Sequence, residues 1–425
     1  MKMKRTLFFL SLLLAVCCPT YSGQERVAEV ERLLKEDLSR AGGNTNSYEF
    51  RIVRDTPAPA GYKAFYISHY GRHGSRSAWN RGEYDTVVSI LTRARSAGIL
   101  NAEGLDVCAE AENILKAHNG MNGRLTSKGA REHKMLAQRM YRRFPGVLKG
   151  KKAVRVISST VPRCLVSMSG FTNALSALNP ALDFSFDAGE TYQTYINETG
   201  SKGPRKKIIE PMLDSLAGTM PYDTSCLVSR LFTDGKAAEN LIQDVHEFNT
   251  TLYNMACISE DFEIEDCILE KFPFDFIYRS WSVFNHSLYM YNCNSVEIGK
   301  ERLFWAEKLV TDFVAKADEV IAGGDYAADL RFGHDFPLLG LVCHLGLEGV
   351  GDRLGFNEVD GKWWGFFQIP MASNLQMIFY RNKAGKVLVK FLYNEQETLL
   401  RGMEPEYGPY YSWDKVKSDI AGYLR

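Results

Sequence analysis

Apolar residues recur at helical spacing at Val27, Val30, Leu34 and Leu38, which predicts an amphipathic helix early in the chain. The pattern then shortens. Lys63-Ala64-Phe65-Tyr66-Ile67-Ser68 is a run of aromatic and apolar residues that reads as a buried strand, followed at once by a polar turn containing glycine. Thr126 is expected to cap a helix with the stripe Leu136, Met140 and Phe144, ended by Pro145-Gly146. Residues 153–158 (Ala-Val-Arg-Val-Ile-Ser) predict the next strand, with Thr160 as N-cap of a helix that carries Pro162 in its first turn and runs toward Leu178.

From residue 184 to 300 aromatics, charges and four cysteines mix without strand–helix alternation, which predicts an inserted, mainly helical cap. A long helix is expected at 301–322, closed by Gly323-Gly324. Residues 328–332 predict a short strand, and Gly333-His334-Asp335 then opens an apolar helix. Residues 374–381 and 386–392 read as a hairpin across Asn382-Lys383-Ala384-Gly385. Three segments thus share one layout: strand, polar turn, helix. That order predicts an α/β core with a mostly parallel sheet flanked by helices. Its turns gather at the carboxyl ends of the strands. The first carries Arg72, His73 and Arg76, the second Arg163, and the third His334 and Asp335.

Those residue types suit one chemistry. A phosphate monoester is doubly charged near neutral pH and repels an incoming nucleophile. Guanidinium groups offset that repulsion by holding the nonbridging oxygens in bidentate fashion. A neutral imidazole is nucleophilic without a separate base. A carboxylic acid can protonate the departing alcohol, help typically worth about 10²–10⁴ in rate.

Arg72-His73-Gly74-Ser75-Arg76 resembles the Arg-His-Gly-x-Arg signature of the histidine acid phosphatase superfamily, which includes phytases and multiple inositol polyphosphate phosphatases. Ser158-Ser159-Thr160-Val161-Pro162-Arg163 is similar to that family's strand-to-helix segment with a third arginine, and Gly333-His334-Asp335 to its distal His-Asp pair. Leu125-Thr126-Ser127-Lys128-Gly129 and Leu392-Tyr393-Asn394-Glu395 also resemble family segments. The likeness spans about 60–180 and 300–400 of the chain. It implies the histidine phosphatase fold, a three-layer core plus the cap; no cysteine pair has the close spacing of a zinc site, so no metal or other cofactor is expected. It further implies that His73 is phosphorylated, that Arg72, Arg76, Arg163 and His334 hold the phosphoryl group, and that Asp335 protonates the leaving group and then helps activate water. Arg76 favours the acid phosphatase branch over mutase-like members, which usually carry Glu soon after the His-Gly. Two positions depart from the pattern. Ala78 stands where members often have Pro, and His334-Asp335 replaces the His-Ala-Glu of many multiple inositol polyphosphate phosphatases.

Composition is that of an ordinary globular chain, 45% hydrophobic and 24% charged over 425 residues. Lys2, Lys4 and Arg5 precede a short apolar run, Leu7 to Val16, which reads as an export leader over residues 1–22. Two endings stay open: a lipid anchor at Cys17 after Leu14-Ala15-Val16, or a cut near Ser22. The expected location is accordingly periplasmic, cell-surface or secreted, with no transmembrane segment. Removing the leader leaves a net charge of −3, which argues against nucleic acid as a partner and for a local anion pocket taking a small phosphorylated substrate. The expected division is 23–183 and 301–425 for the core and 184–300 for the cap, in a monomer or small homo-oligomer. Seven cysteines remain beyond the leader, an odd number, with Cys226, Cys257, Cys267 and Cys293 near enough in sequence to pair. His69 reads first as a packed histidine, and the basic run 202–207 first as a solvated face that could alternatively meet extra phosphates. Trp363-Trp364-Gly365-Phe366-Phe367 reads as packing. The leading function is an exported phosphomonoesterase. A same-fold phosphotransferase or mutase, and a non-catalytic surface lipoprotein that binds phosphorylated ligands, remain as alternatives.

Overall fold

The computed structural model describes residues 23–51, 55–78, 82–197, 203–265 and 267–423. The expected leader, with Cys17, lies outside them. Among the described residues eight strands form one sheet in the order β3-β2-β4-β1-β5-β6-β7, with β8 also pairing β6. Their bounds are β1 Lys63–Arg72, β2 Lys152–Ser158, β3 Leu182–Asp187, β4 Tyr326–Gly333, β5 Asn374–Arg381, β6 Val387–Tyr393, β7 Gln396–Thr398 and β8 Tyr410–Ser412. β3, β2, β4 and β1 run parallel; β5 turns antiparallel against β1 and the remaining pairs follow suit. Parallel neighbours need crossovers, which the intervening helices supply, whereas β5 and β6 close as the expected hairpin.

The period of two along each strand sorts side chains between two cores. Tyr66 and Tyr70 of β1 join Met377 and Phe379 of β5 on one face, against helices Gly299–Ile321 and Asp335–Leu345. Ile67 and Ile378 face the other way, against helices Ser127–Arg143 and Pro162–Leu178. This is the helix–sheet–helix sandwich. A third core lies off the sheet, where helices Gly82–Ser96 and Ala102–Ala117 pack with residues 227–281 around Leu91, Val107, Leu252 and Trp281.

Local signals held in most places. Thr126 caps its helix by accepting from Gly129 N at 3.2 Å, and that helix stops at Arg143 before a separate turn, Pro145–Leu148. Thr160 does not cap. Val161 occupies the N-cap position without a side-chain cap, and Ser159 Oγ instead accepts from Val161 N at 3.2 Å. β1 runs four residues beyond the expected strand, through His69 and Tyr70 to Arg72, because β4 and β5 pair with it on both sides that far. His69 is buried against Phe171 and Phe332. Trp363 and Phe366 are buried as expected, and Arg205 of the basic run is buried too, donating to the Tyr291 carbonyl instead of facing solvent. No helix among the described residues is long and apolar enough to cross a membrane.

Candidate active site

The ends of β1, β4 and β2 are neighbours, so the three polar turns meet. His73 N donates to Gly333 O at 2.9 Å and Ser159 N to Phe332 O at 2.9 Å, which ties all three turns together by backbone. Two glycines permit this approach. A Cβ on Gly74 would come within 2.5 Å of Gly129 O, and one on Gly333 within 2.1 Å of the Tyr70 hydroxyl. That hydroxyl accepts from His334 N at 3.0 Å, holding the third turn against β1.

Arg72 is fully buried. One of its terminal nitrogens donates to the carbonyls of Asn44 at 2.6 Å and Ile369 at 2.7 Å; the other lies 3.0 Å from Asp335 Oδ2. The Asn44 amide donates to the same Oδ2 at 2.8 Å, while Asp335 Oδ1 accepts from Phe336 N at 3.0 Å. His334 takes the N-cap position of its helix and Asp335 the first residue, where the helix dipole favours an anion. Burial alone pushes the Asp335 carboxyl up, but Arg72, His334 and Arg76 outweigh it and hold it below the ordinary range.

The two histidines have assignable tautomers. His73 Nδ1 lies 3.0 Å from the Gly74 carbonyl, which can only accept, so Nδ1 carries the hydrogen and Nε2 the lone pair. Burial, then Arg72 and Arg163, push this imidazole well below its usual pKa, so it is neutral. Arg163 donates to His334 Nδ1 at 3.2 Å, and that forces the hydrogen onto Nε2, 3.1 Å from Ser159 Oγ. Burial and then Arg163 bring His334 down to about 4. The two rings meet edge-on with centroids 5.6 Å apart.

Arg76 is half-buried with Nε lacking a protein partner; burial first, then Arg72 and Arg163, lower it to about 10. Burial likewise lowers Arg163, in the first turn of its helix, the end at which a bound anion is favoured and a cation is not. Three guanidinium groups, one carboxylate and two neutral imidazoles therefore meet at one end of the sheet, with two more positive than negative charges among them. A phosphate monoester dianion carries the opposite charge.

All six residues expected from sequence come together here. Asn44 was missed: it lies 291 positions from Asp335, in the 3-10 helix Leu38–Thr45, and no local signal ties the two together. Tyr70, which bonds the third turn, and Glu132, which accepts from Ser75 N at 2.8 Å, were missed as well. Among the described residues no group of three His, Cys, Asp or Glu side chains is placed to hold a metal.

No protein-family model matches the chain, and no curated protein sequence does. Solved structures do. The multiple inositol polyphosphate phosphatase of Bifidobacterium longum, in complex with inositol hexasulfate, superposes with a TM-score of 0.72 at 18% identity over 90% of this chain and 97% of its own. The phytase from D. castellii gives a TM-score of 0.69 at 12% identity over 92% and 86%. The Hafnia alvei phytase gives 0.52 at 11% over 87% and 98%. At such identities the likeness is one of architecture, and it runs nearly the full length of each partner. The chain has the histidine phosphatase fold.

Proposed function

We propose that this chain is an exported phosphomonoesterase that works through a phosphohistidine and acts on inositol phosphates. The observation that carries the reading is the pocket's charge: three arginines around a neutral imidazole whose Nε2 holds a lone pair. Nε2 of His73 attacks phosphorus as the ester P–O bond breaks, with Arg72, Arg76, Arg163 and His334 on the nonbridging oxygens. Asp335 gives its proton to the departing alkoxide. It then takes a proton from water, whose oxygen displaces His73 from phosphorus.

The resting ionisation of Asp335 fits this role. Its low pKa is set by Arg72, and a dianion bound to Arg72 and Arg76 neutralises that influence and lets the carboxyl take up a proton. Inositol phosphates are favoured by the likeness to the Bifidobacterium longum enzyme, whose structure holds inositol hexasulfate. Export rests on the leader pattern of residues 1–22.

The test is phosphate release from a panel of aryl, sugar, nucleotide and inositol phosphates, including inositol hexakisphosphate. Release from inositol phosphates with the greatest kcat/KM is the expected result; no release from any substrate would favour a non-catalytic binder. Turnover is expected to survive EDTA, since the proposed nucleophile, clamp and acid are all side chains. Strict metal dependence would contradict the route.

A pH dependence follows from His73. An ordinary imidazole loses nucleophilicity as it protonates below about 6.5. Here protonation is deferred to lower pH by burial and by the arginines. The acid limb of kcat/KM is therefore expected well below 6.5, measured on p-nitrophenyl phosphate from pH 3 to 8. A limb at the ordinary imidazole value would count against a buried, neutral His73.

A further inference from the structure

Two buried carboxylates that the mechanism does not use adjoin the loop after β1. Glu132, from helix Ser127–Arg143, is 4% exposed and receives three donors. Its Oε2 accepts from Ser75 N at 2.8 Å, and its Oε1 accepts from Ser75 Oγ at 2.7 Å and Tyr48 N at 3.3 Å. Every contact is a donation to Glu132, the pattern of an ionised carboxylate. Asp261 lies in the short 3-10 helix Ser259–Phe262 and is fully buried. Its Oδ1 accepts from Ser47 Oγ at 3.4 Å, and Ser47 Oγ is also 3.4 Å from Ser75 Oγ. Its Oδ2 is buried with no protein partner.

We propose that Glu132 and Asp261 form a paired mount for the loop that carries His73 and Arg76. Glu132 acts as an anion that fixes Ser75 midway between them, and Asp261, fully buried with no donor on Oδ2, is kept from adding a second negative charge beside Arg76. Both are positioning residues, acting through Ser75 and Arg76, and their effect on turnover rests on the phosphomonoesterase reading above.

The surroundings explain the division of labour. Two carboxylates this deep cannot both ionise cheaply. Lys128 acts on Glu132 from the same helix, but its ammonium is held by Glu260 at 2.9 Å and by the Glu260 carbonyl at 3.0 Å. Arg76 is the other cation near Asp261, and its charge is wanted by the ligand. At the C-cap of helix Ala102–Ala117 the His118 ring meets Phe262 at a tilt, 4.5 Å between centroids. Burial and then Glu132 push Asp261 up to about 8; burial raises Glu132 too, and the Ser75 backbone and side-chain donors and Tyr48 N offset part of that rise. The close approach of Gly74 to Gly129 presses the loop onto the same helix turn, so Ser75 has no slack to find other partners.

The test uses the full chain and the variants E132Q, S75A and D261N. In E132Q the neutral amide cannot accept from Ser75 N, Ser75 Oγ and Tyr48 N together, so amide hydrogen exchange at 73–76 is expected to speed up at least tenfold, with S75A intermediate because it keeps the backbone bond. KM for p-nitrophenyl phosphate is expected to rise about tenfold in E132Q, with kcat changing less. Inorganic phosphate affinity, by calorimetry from pH 5 to 9, is expected to fall roughly tenfold in the parent as pH passes about 8. It should stay flat there in D261N. Exchange in E132Q equal to the parent overturns the mount. Superimposable phosphate profiles for D261N and the parent overturn the role of Asp261. If the parent lacks turnover, the phosphatase reading falls, and exchange and phosphate affinity still decide the mount. If E132Q does not fold, S75A exchange decides it.

Discussion

Replacing His73 by alanine is expected to lower kcat on p-nitrophenyl phosphate by roughly 10⁴-fold or more, as loss of a nucleophile does elsewhere. The ring is bonded only locally, through Nδ1 to the Gly74 carbonyl, and that loop is held by backbone bonds from His73 N to Gly333 and from Ala372 N to the His73 carbonyl. Both survive the substitution. Arg72, Arg163 and His334 keep their contacts with Asn44, Ile369, Asp335 and one another. Affinity for inorganic phosphate is therefore expected to stay within about tenfold of the parent, so that the loss falls on kcat. Parent protein quenched in alkali during turnover should carry a phosphoryl group on His73. Undiminished turnover in the variant, or a phosphoryl group elsewhere, would sink the phosphohistidine route.

Asp335→Asn is expected to separate substrates by their leaving groups. An alkyl phosphate such as an inositol phosphate releases a strongly basic alkoxide and needs the acid; its turnover should fall by about 10²–10⁴. p-Nitrophenolate leaves without protonation, so formation of the phosphoenzyme from the aryl ester should fall far less. Asparagine keeps a carbonyl at the Oδ2 position that still accepts from Asn44 and Arg72, and gives up the bond from Phe336 N to Oδ1. A burst of p-nitrophenol followed by slow turnover is the expected time course, since the same carboxylate serves the water step. Equal losses on both substrates would show that Asp335 is not the proton donor.

How much of this was readable beforehand depended on distance along the chain. β1 was legible from an apolar run, and β2 and β4 from apolar residues interleaved with charges that the fold pairs, Arg155 with Asp329 and Arg331 with Asp312. β3 was not. It is an edge strand, Leu-Asp-Phe-Ser-Phe-Asp, with only Leu182 buried, and what makes it a strand is pairing with β2. Thr160 looked like a cap on propensity, yet Ser159 reaches the helix end first. Arg205 looked like surface charge because nothing local announces that Tyr291 will take it in.

The sequence by itself determined which reactive groups stand at the strand ends. A strand that ends at Arg72 presents His73 and the residues after it at the sheet's edge, and Gly74 there lets a helix approach. What only the tertiary structure decided is the protonation state of each group. His334 is neutral with its hydrogen on Nε2 because Arg163, 171 positions away, occupies Nδ1. Asp335 is ionised because Arg72 and Asn44 converge on one of its oxygens from 263 and 291 positions away. Proton affinity in a buried site is set by the charges and donors within a few ångströms, and folding alone chooses those neighbours.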